Sequence, residues 1–214
     1  MTLRDELFGA SKEDVYKMVA FDLNGKFTRG DFYNPVRVDV PFKNWIITLD
    51  TNVVNEIINV SHGNPYGGNA IYTRVRVPFI KTSNFQFAVT NTTALDSFTK
   101  LFGGQDILVG DEHFDKLFTI KGNDEAKVEK LFTNSIIRHL IMELEEMNLV
   151  IRTQEGLLFG TKLPENINEI FFKAEDVIID TKKLKLLFQL FSETLEQLCK
   201  INCAKTENPN IDLI

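Results

Sequence analysis

The acidic turns between Gly110 and Phe132 are the part of the chain in which residue types and spacing come nearest to a site that does chemistry. The sequence there is GDEHFDKLFTIKGNDEAKVEKLF, and carboxylates grouped in this way can bind a divalent cation or move protons. A calcium loop requires oxygen donors at alternating positions and a closing glutamate, whereas apolar residues interrupt the donors here. The segment therefore predicts no metal site, and a weak divalent site stays as the alternative interpretation.

Helix capping explains most of these acids from local physics. Asp111 follows a glycine and precedes a short turn, and Asn123 or Asp124 stands where a helix begins. Asp and Asn side chains accept hydrogen bonds from the first amides of a helix, and Glu125 in the first turn interacts favourably with the helix dipole. We therefore interpret Asp111, Asn123 and Asp124 as capping residues.

A second candidate is the strand-like sequence YTRVRV, which places Tyr72, Arg74 and Arg76 on one face of a strand. Two guanidiniums side by side could hold a phosphate or a carboxylate, so these three residues form a candidate ligand-binding strip. The alternative is a solvated sheet face, on which the arginines pair with acids of neighbouring strands such as Asp39 or Asp50.

The histidines and the known motifs add little chemistry. The three histidines, at 62, 113 and 139, have no cysteine or second histidine at a metal-ligand spacing. His113, between Glu112 and Asp115, is the candidate acid–base group if folding places it beside a carboxylate. The sequence motifs of phosphate loops, dinucleotide binding, hydrolase elbows and zinc proteases are absent. We therefore predict no cofactor, no metal and no catalytic residue.

Cys199 and Cys203 form the sequence CKINC near the chain end. Four residues apart on a helix, their Cα atoms would be about 6 Å apart, which is within disulfide distance. The spacing permits two roles for the cysteines, a redox switch or packing as small apolar side chains. Packing is the preferred interpretation.

Composition limits the classes of partner. The chain has 214 residues and a formal net charge of −6. Nucleic acids and anionic lipids require a basic face, so neither a nucleic acid nor a membrane is predicted as a partner. Residues 1–30 show no secretory signal, and no window has enough apolar residues to cross a bilayer. Together with the low cysteine count, these features favour a cytoplasmic location.

Hydrophobic periodicity divides the first half into one helix and four strands. Ser11 and Asp14 form a capping-box-like start for a helix that ends near Gly25. Alternating apolar and polar residues predict antiparallel strands with one face toward solvent at 36–40, 45–51, 70–77 and 85–90. The glycine-rich sequence at 61–69 predicts a loop.

The second half alternates helices with short strands. Asn91 or Thr92 is predicted to cap a short helix that Gly103 and Gly104 stop. A strand at 117–121, helices from Asp124 and through 135–147, and strands near 149–153, 156–160 and 169–173 follow. The last helix, at about 181–202, carries a broad apolar stripe that is either packed on two sides or offered to another subunit.

These elements predict an α+β fold with a largely antiparallel sheet or sheets, flanking helices and a long apolar C-terminal helix. We expect a single domain over 1–214, with two lobes dividing near 103–106 as the alternative. The polar, proline-containing tail at 205–214 is expected to fray.

Three stretches resemble a family of uncharacterised bacterial proteins: YTRVRVPF, then GGQDILVGDEHFDKLFTIKGNDEAKVEKLF, then LFQLFSETLEQLC. The resemblance spans the chain from about Trp45 to Ile201, and its most specific part is the Gly-Asp, Phe-Asp, Phe-x-Ile-Lys-Gly-Asn-Asp-Glu pattern. It supports the expected fold and implies no particular activity, cofactor or catalytic residue.

The functional expectation is a non-enzymatic module that binds a protein or a ligand. Its partner is either an unknown protein or a second copy that associates through the C-terminal helix. The alternative is an enzyme acting on a small anionic substrate, with Arg74 and Arg76 as binding groups. Asp111, His113 or Asp124 would then be the acid–base groups, which requires that all of these side chains converge on one pocket.

Overall fold

The computed structural model describes residues 11–31, 35–58, 66–93, 106–153 and 163–213, without the side chains of 53–58 and 66–70. These residues form eight strands and five helices. The strands are β1 (Lys26–Thr28), β2 (Arg37–Phe42), β3 (Trp45–Ile58), β4 (Tyr66–Ile80), β5 (Phe87–Asn91), β6 (Phe118–Gly122), β7 (Asn148–Arg152) and β8 (Ile167–Ala174). The helices are α1 (Lys12–Asp22), α2 (Glu112–Leu117), α3 (Glu125–Phe132), α4 (Ser135–Leu144) and α5 (Thr181–Lys200).

All eight strands join one sheet in the order β1-β2-β3-β4-β8-β7-β5-β6, and every neighbouring pair is antiparallel. The predicted α+β class is confirmed. Strands β5 and β6 lie on opposite sides of residues 103–106 in the sequence and pair directly with each other. A single sheet therefore contains strands from both of the lobes considered above.

One face of the sheet carries the main hydrophobic core. Register places Val38, Leu49, Val75, Phe172 and Leu149 in one row across five strands, and all of them are buried. Buried side chains from all five helices belong to the same apolar cluster, so the helices cover this face. We call it the apolar face.

The last helix begins after the N-cap Asp180 and places seven apolar side chains in the core. It contacts α1, α3, α4 and β4, so the apolar stripe noted in the sequence is packed within the chain. The helix ends two residues earlier than predicted. Asn202 adopts a left-handed φ of 55°, and the amide of Cys203 donates to the Leu198 carbonyl at 2.8 Å, the pattern of a Schellman cap.

The two cysteines do not share the helix, because Cys203 lies beyond the cap. Both thiols are free, and Cys203 is buried in the core cluster. Burial raises the pKa of both thiols, which disfavours the reactive thiolate. These observations support packing for Cys203.

The centre of the opposite face of the sheet is polar but buried, so the expectation of solvent on that side is wrong there. Register aligns Arg37, Asp50, Arg74 and Lys173 in one row across β2, β3, β4 and β8. Asp50 is only 1% exposed and Arg74 7%. We call this the polar face. Its charges neutralise one another between strands, and alternation in a sequence cannot distinguish such a face from a solvated one.

The strand β4 begins earlier than the sequence predicts, because it includes residues 66–69 of the predicted loop. The two glycines of this part pair with Ile57 and Glu56 of β3, although glycine weakens the interior of a strand. Residues 59–65 and the predicted strand at 156–160 lie outside the described residues, and so does the helix predicted between Thr92 and Gly103 except for its first residues.

The tail, which the sequence predicts to fray, makes contacts with distant parts of the chain. Lys205 donates its amide to the Ile80 carbonyl at 2.9 Å, and Leu213 is only 3% exposed. Leu213 packs with Leu163 and Ile167 in a small apolar cluster of its own. The tail is therefore held by non-local contacts that its polar composition does not reveal.

Candidate functional site

The strip of Tyr72, Arg74 and Arg76 lies on the polar face, but it is buried against one carboxylate. Arg74 Nε is 2.7 Å from Asp50 Oδ1, and Arg76 Nη2 is 2.5 Å from Asp50 Oδ2. Tyr72 is 5% exposed, and the Lys173 ammonium lies 3.7 Å from the centre of its ring. The arginines thus pair with Asp50, as the alternative interpretation had it, and are not open to a ligand from solution.

Arg37 is a cation of the same face that reaches solvent. Its Nε donates to Asp39 Oδ2 at 2.7 Å, and the Thr48 hydroxyl donates to Asp39 Oδ1 at 2.8 Å. The side chain of Arg37 is 26% exposed. Partial burial lowers the pKa of Arg37, but the hydrogen bond and the charge of Asp39, together with Asp212, raise it above its ordinary value. The guanidinium is therefore charged and fixed in orientation.

Arg37 forms part of the floor of a cleft of about 700 Å³. The rest of the floor is Asp39, Pro41 and Ile46, one wall is the turn at 24–26, and the other wall is the tail at 208–212. Small-molecule sites usually have volumes of about 300–1,000 Å³. The cleft therefore has the size of a ligand site and combines a fixed cation with apolar side chains.

The first wall of the cleft follows from a tight turn between α1 and β1. Asn24 adopts a left-handed φ of 51°, a conformation that Asn tolerates better than most residues. A Cβ atom on Gly25 would lie 2.8 Å from the Asp39 carbonyl oxygen and 2.9 Å from Val40 Cγ2. Glycine is thus needed for this wall to approach β2 so closely.

A second cavity, of about 310 Å³, lies where β5 and β8 end and β7 begins. Lys173 is its cationic side chain, and Glu146, Glu175 and Asp176 contribute three carboxylates. The excess of negative charge makes this cavity a poor site for anions.

Two of the three residues predicted as helix caps in the acidic turns are caps. Asp111 caps α2 by accepting from the Phe114 amide at 3.1 Å, and Asp124 caps α3 by accepting from the Lys127 amide at 3.1 Å. Asn123 has another role. Its side chain accepts from the Gln86 amide at 3.0 Å and donates to the Asn84 carbonyl at 2.6 Å, which fastens the turn to the segment before β5.

These caps make stability depend on pH in the acid range. The backbone hydrogen bond to each carboxylate lowers the pKa of Asp111 and of Asp124. A depressed pKa in the folded state stabilises it above the ordinary value, and that stability is lost as the pH falls through the folded value. We expect the double variant Asp111→Asn, Asp124→Asn, which keeps the capping oxygens, to lose less stability than the native chain between about pH 4 and 2. Thermal unfolding across this range measures the two slopes, and equal slopes would contradict the expectation.

The residues of the enzyme hypothesis do not converge. Arg74 and Arg76 lie on the polar face of β4, whereas α2, which carries His113 and is capped by Asp111, packs Phe114 into the core on the apolar face. Strands β8, β7 and β5 separate β4 from β6, so β4 and β6 are about 19 Å apart. Since β6 follows α2 directly, α2 ends far from the two arginines as well. In the described parts of the chain no group of three or more potential metal ligands occurs.

Sequence reasoning did not single out Arg37, which lines the cleft. The available signal was the spacing of Arg37 and Asp39, which places a cation and an anion on the same face of the predicted strand VRVDV. The participation of the tail had no such signal, because its contacts are made across almost the whole chain.

Comparison with models of protein families, with curated proteins and with solved structures finds no match. Among the described helices, none combines the length and the apolar character that crossing a membrane requires.

Proposed function

We propose that the chain is a non-enzymatic binding module whose cleft takes a small molecule with an anionic group on an apolar body. The observation that supports this most directly is Arg37, a charged guanidinium fixed by Asp39 on the floor of a cleft of ligand size. A preorganised cation loses little conformational entropy when an anion binds, which favours affinity.

The cleft offers the anion a replaceable partner. Arg37 Nη2 lies 3.2 Å from Asp212 Oδ1, and the Asp212 side chain is 77% exposed. Exposed ion pairs contribute little stability, so a ligand carboxylate or phosphate can take the place of Asp212 and bind the guanidinium. Lys26, which is exposed at the edge of the cleft, adds a second positive charge.

The apolar part of the ligand would contact the side chains beside Arg37. Ile46 is 50% exposed although it lies on a strand, and Pro41 pairs with it in register on β2. Ile211 of the tail faces them across the cleft. Covering such side chains removes apolar surface from water and adds affinity to the charged contact.

Two other hypotheses receive less support. Self-association through α5 was motivated by its apolar stripe, which is packed within the chain. The enzyme hypothesis required convergence of Arg74 and Arg76 with the acidic turns, and these lie on opposite faces of the sheet. The cytoplasmic location stays part of the proposal and is supported by the free thiols of Cys199 and Cys203.

Titration with 4-methylpentanoate tests the proposal, because it combines a carboxylate with a branched apolar chain. We expect Arg37→Gln to weaken its binding at least about tenfold, since hydrogen bonds to charged groups contribute about 1.5–3 kcal/mol. Chemical shift changes in ¹H–¹⁵N spectra measure the affinity. The neutral 4-methylpentanamide should bind weakly to the native chain and to the variant alike.

Arg29→Gln is the matched control. Arg29 is 79% exposed, pairs with Glu13 and does not line the cleft, so its replacement should leave the affinity unchanged. Circular dichroism confirms that both variants are folded. Equal affinity in Arg37→Gln and in the native chain would contradict the proposed site.

A further inference from the structure

The end of the tail lies against the polar face in the manner of a bound peptide. Arg37 Nη2 donates to the Asp212 carboxylate at 3.2 Å, and Arg37 Nη1 donates to the Leu213 carbonyl oxygen. One guanidinium thus contacts both a side chain and the backbone of two consecutive residues. Such paired contacts fix the register of an extended segment.

An apolar pocket accompanies the charged contact. The Leu213 side chain is 3% exposed and packs against Leu163 and Ile167, with Ile211 and Ile80 packed beside them. This cluster is separate from the main core. Recognition of the segment therefore has two parts, an arginine for the acid and an apolar pocket for the leucine that follows it.

Few other contacts hold the segment before these residues. Asn44 donates to the Thr206 carbonyl at 2.8 Å, and Asn210 donates its amide to the side chain of Asn208 at 2.7 Å within a local turn. The Asp212 side chain is largely exposed. The contacts that select a sequence are thus concentrated in residues 211–213.

We infer that this surface also binds a partner peptide of the same chemistry, an acidic residue followed by leucine and preceded by a branched apolar residue. The inference rests on the proposed function in one respect, since Arg37 is the anion-binding group in both. The chain's own segment shows the contacts that such a peptide would make. An identical sequence from another molecule can make the same bonds to Arg37 and fill the same pocket as Leu213.

Tethering sets the condition for exchange. A segment tethered to its site through a short linker competes at an effective concentration on the order of millimolar. A free peptide with the same contacts must exceed that concentration to displace it from the native chain. Releasing the tethered segment should therefore increase the apparent affinity for the peptide strongly.

The test uses the full chain carrying Asp212→Ser together with Leu213→Ser, which removes both recognised groups from the tethered segment. The probe is a fluorescent synthetic peptide of sequence KTENPNIDLI, observed by fluorescence polarisation. We expect the released chain to bind it at least about tenfold more tightly than the native chain. The milder variant Asp212→Ser alone should bind the peptide with an intermediate affinity. It replaces the double variant in the test if the double variant does not fold.

A charge exchange identifies the contact. In the released chain, Arg37→Glu should lose binding of the native peptide and gain binding of a peptide with lysine in place of the aspartate. A merely structural role of Arg37 would not reverse the charge preference. A peptide with serine in place of the leucine should bind at least about tenfold more weakly than the native peptide, because the apolar pocket is then empty.

The inference is overturned if the folded released chain binds the peptide no more tightly than the native chain, or if Arg37→Glu leaves the affinity unchanged. The titration with 4-methylpentanoate separates the two proposals. If the carboxylate still binds through Arg37 while the peptide does not, only the peptide inference fails. If neither binds, the proposed function fails as well.

Discussion

Replacing Asp50 with alanine is expected to lower the free energy of unfolding by about 3–5 kcal/mol. The Asp50 carboxylate contacts Arg74 and Arg76 on the polar face, and all three side chains are buried. Its removal leaves two neighbouring guanidiniums without the anion that they share, in surroundings where a charge is costly. Urea denaturation followed by circular dichroism measures the change.

The matched control for this prediction is Asp22→Ala. Asp22 lies 2.5 Å from Lys185, but both side chains are partly exposed, at 33% and 41%. Its loss should cost about 1 kcal/mol or less. If Asp50→Ala lost no more than Asp22→Ala, the polar face would be solvated and the account of a buried charge network would be wrong.

Replacing Phe132 with alanine is expected to cost a similar amount, about 3–5 kcal/mol. The Phe132 ring is 1% exposed and lies 5.8 Å from the ring of Phe87 and 5.7 Å from that of Phe114. These contacts connect α3 with β5 and α2, so the cavity left by truncation would face three elements. Urea denaturation measures the loss.

Two further variants show that the loss comes from packing. Phe132→Leu keeps most of the volume and should cost less than about 1.5 kcal/mol. Phe21→Ala removes a ring that is 83% exposed on α1 and should change stability by less than about 0.5 kcal/mol. Equal losses for Phe132→Ala and Phe21→Ala would contradict the assignment of the core.

Elements whose causes are local could be predicted from the sequence. Ser11, Asp111 and Asp124 each accept a hydrogen bond from an amide three residues ahead, so the residue type and its neighbours suffice to place a helix start. The apolar face likewise follows from alternation, since Leu49 and Val75 are spaced as the core requires.

The burial of the polar face could not be predicted, because it depends on register between distant strands. Asp50 lies opposite Arg37 on one side and Arg74 on the other. A sequence shows that acids and arginines alternate on these strands, but it does not show which of them meet. Without that knowledge, a solvated face and a neutralised buried face have the same pattern.

The cleft could not be predicted for a related reason. Its two walls come from residues near 25 and near 210, and Arg37 contacts Asp212 across 175 positions of sequence. Composition made the tail a candidate for fraying because Asn208, Asn210 and a proline favour turns. Leu213, the buried side chain that holds its end, has only Ile211 two positions before it, and one such repeat is too short to predict burial.

The most direct measurement for the central claim is a crystal structure of the full chain with 4-methylpentanoate. The account predicts the carboxylate at hydrogen-bonding distance, about 3 Å, from the guanidinium of Arg37, with the branched chain against Ile46. A carboxylate bound beside Lys173 in the smaller cavity, or a cleft in which Asp212 keeps Arg37 while the ligand binds elsewhere, would contradict it.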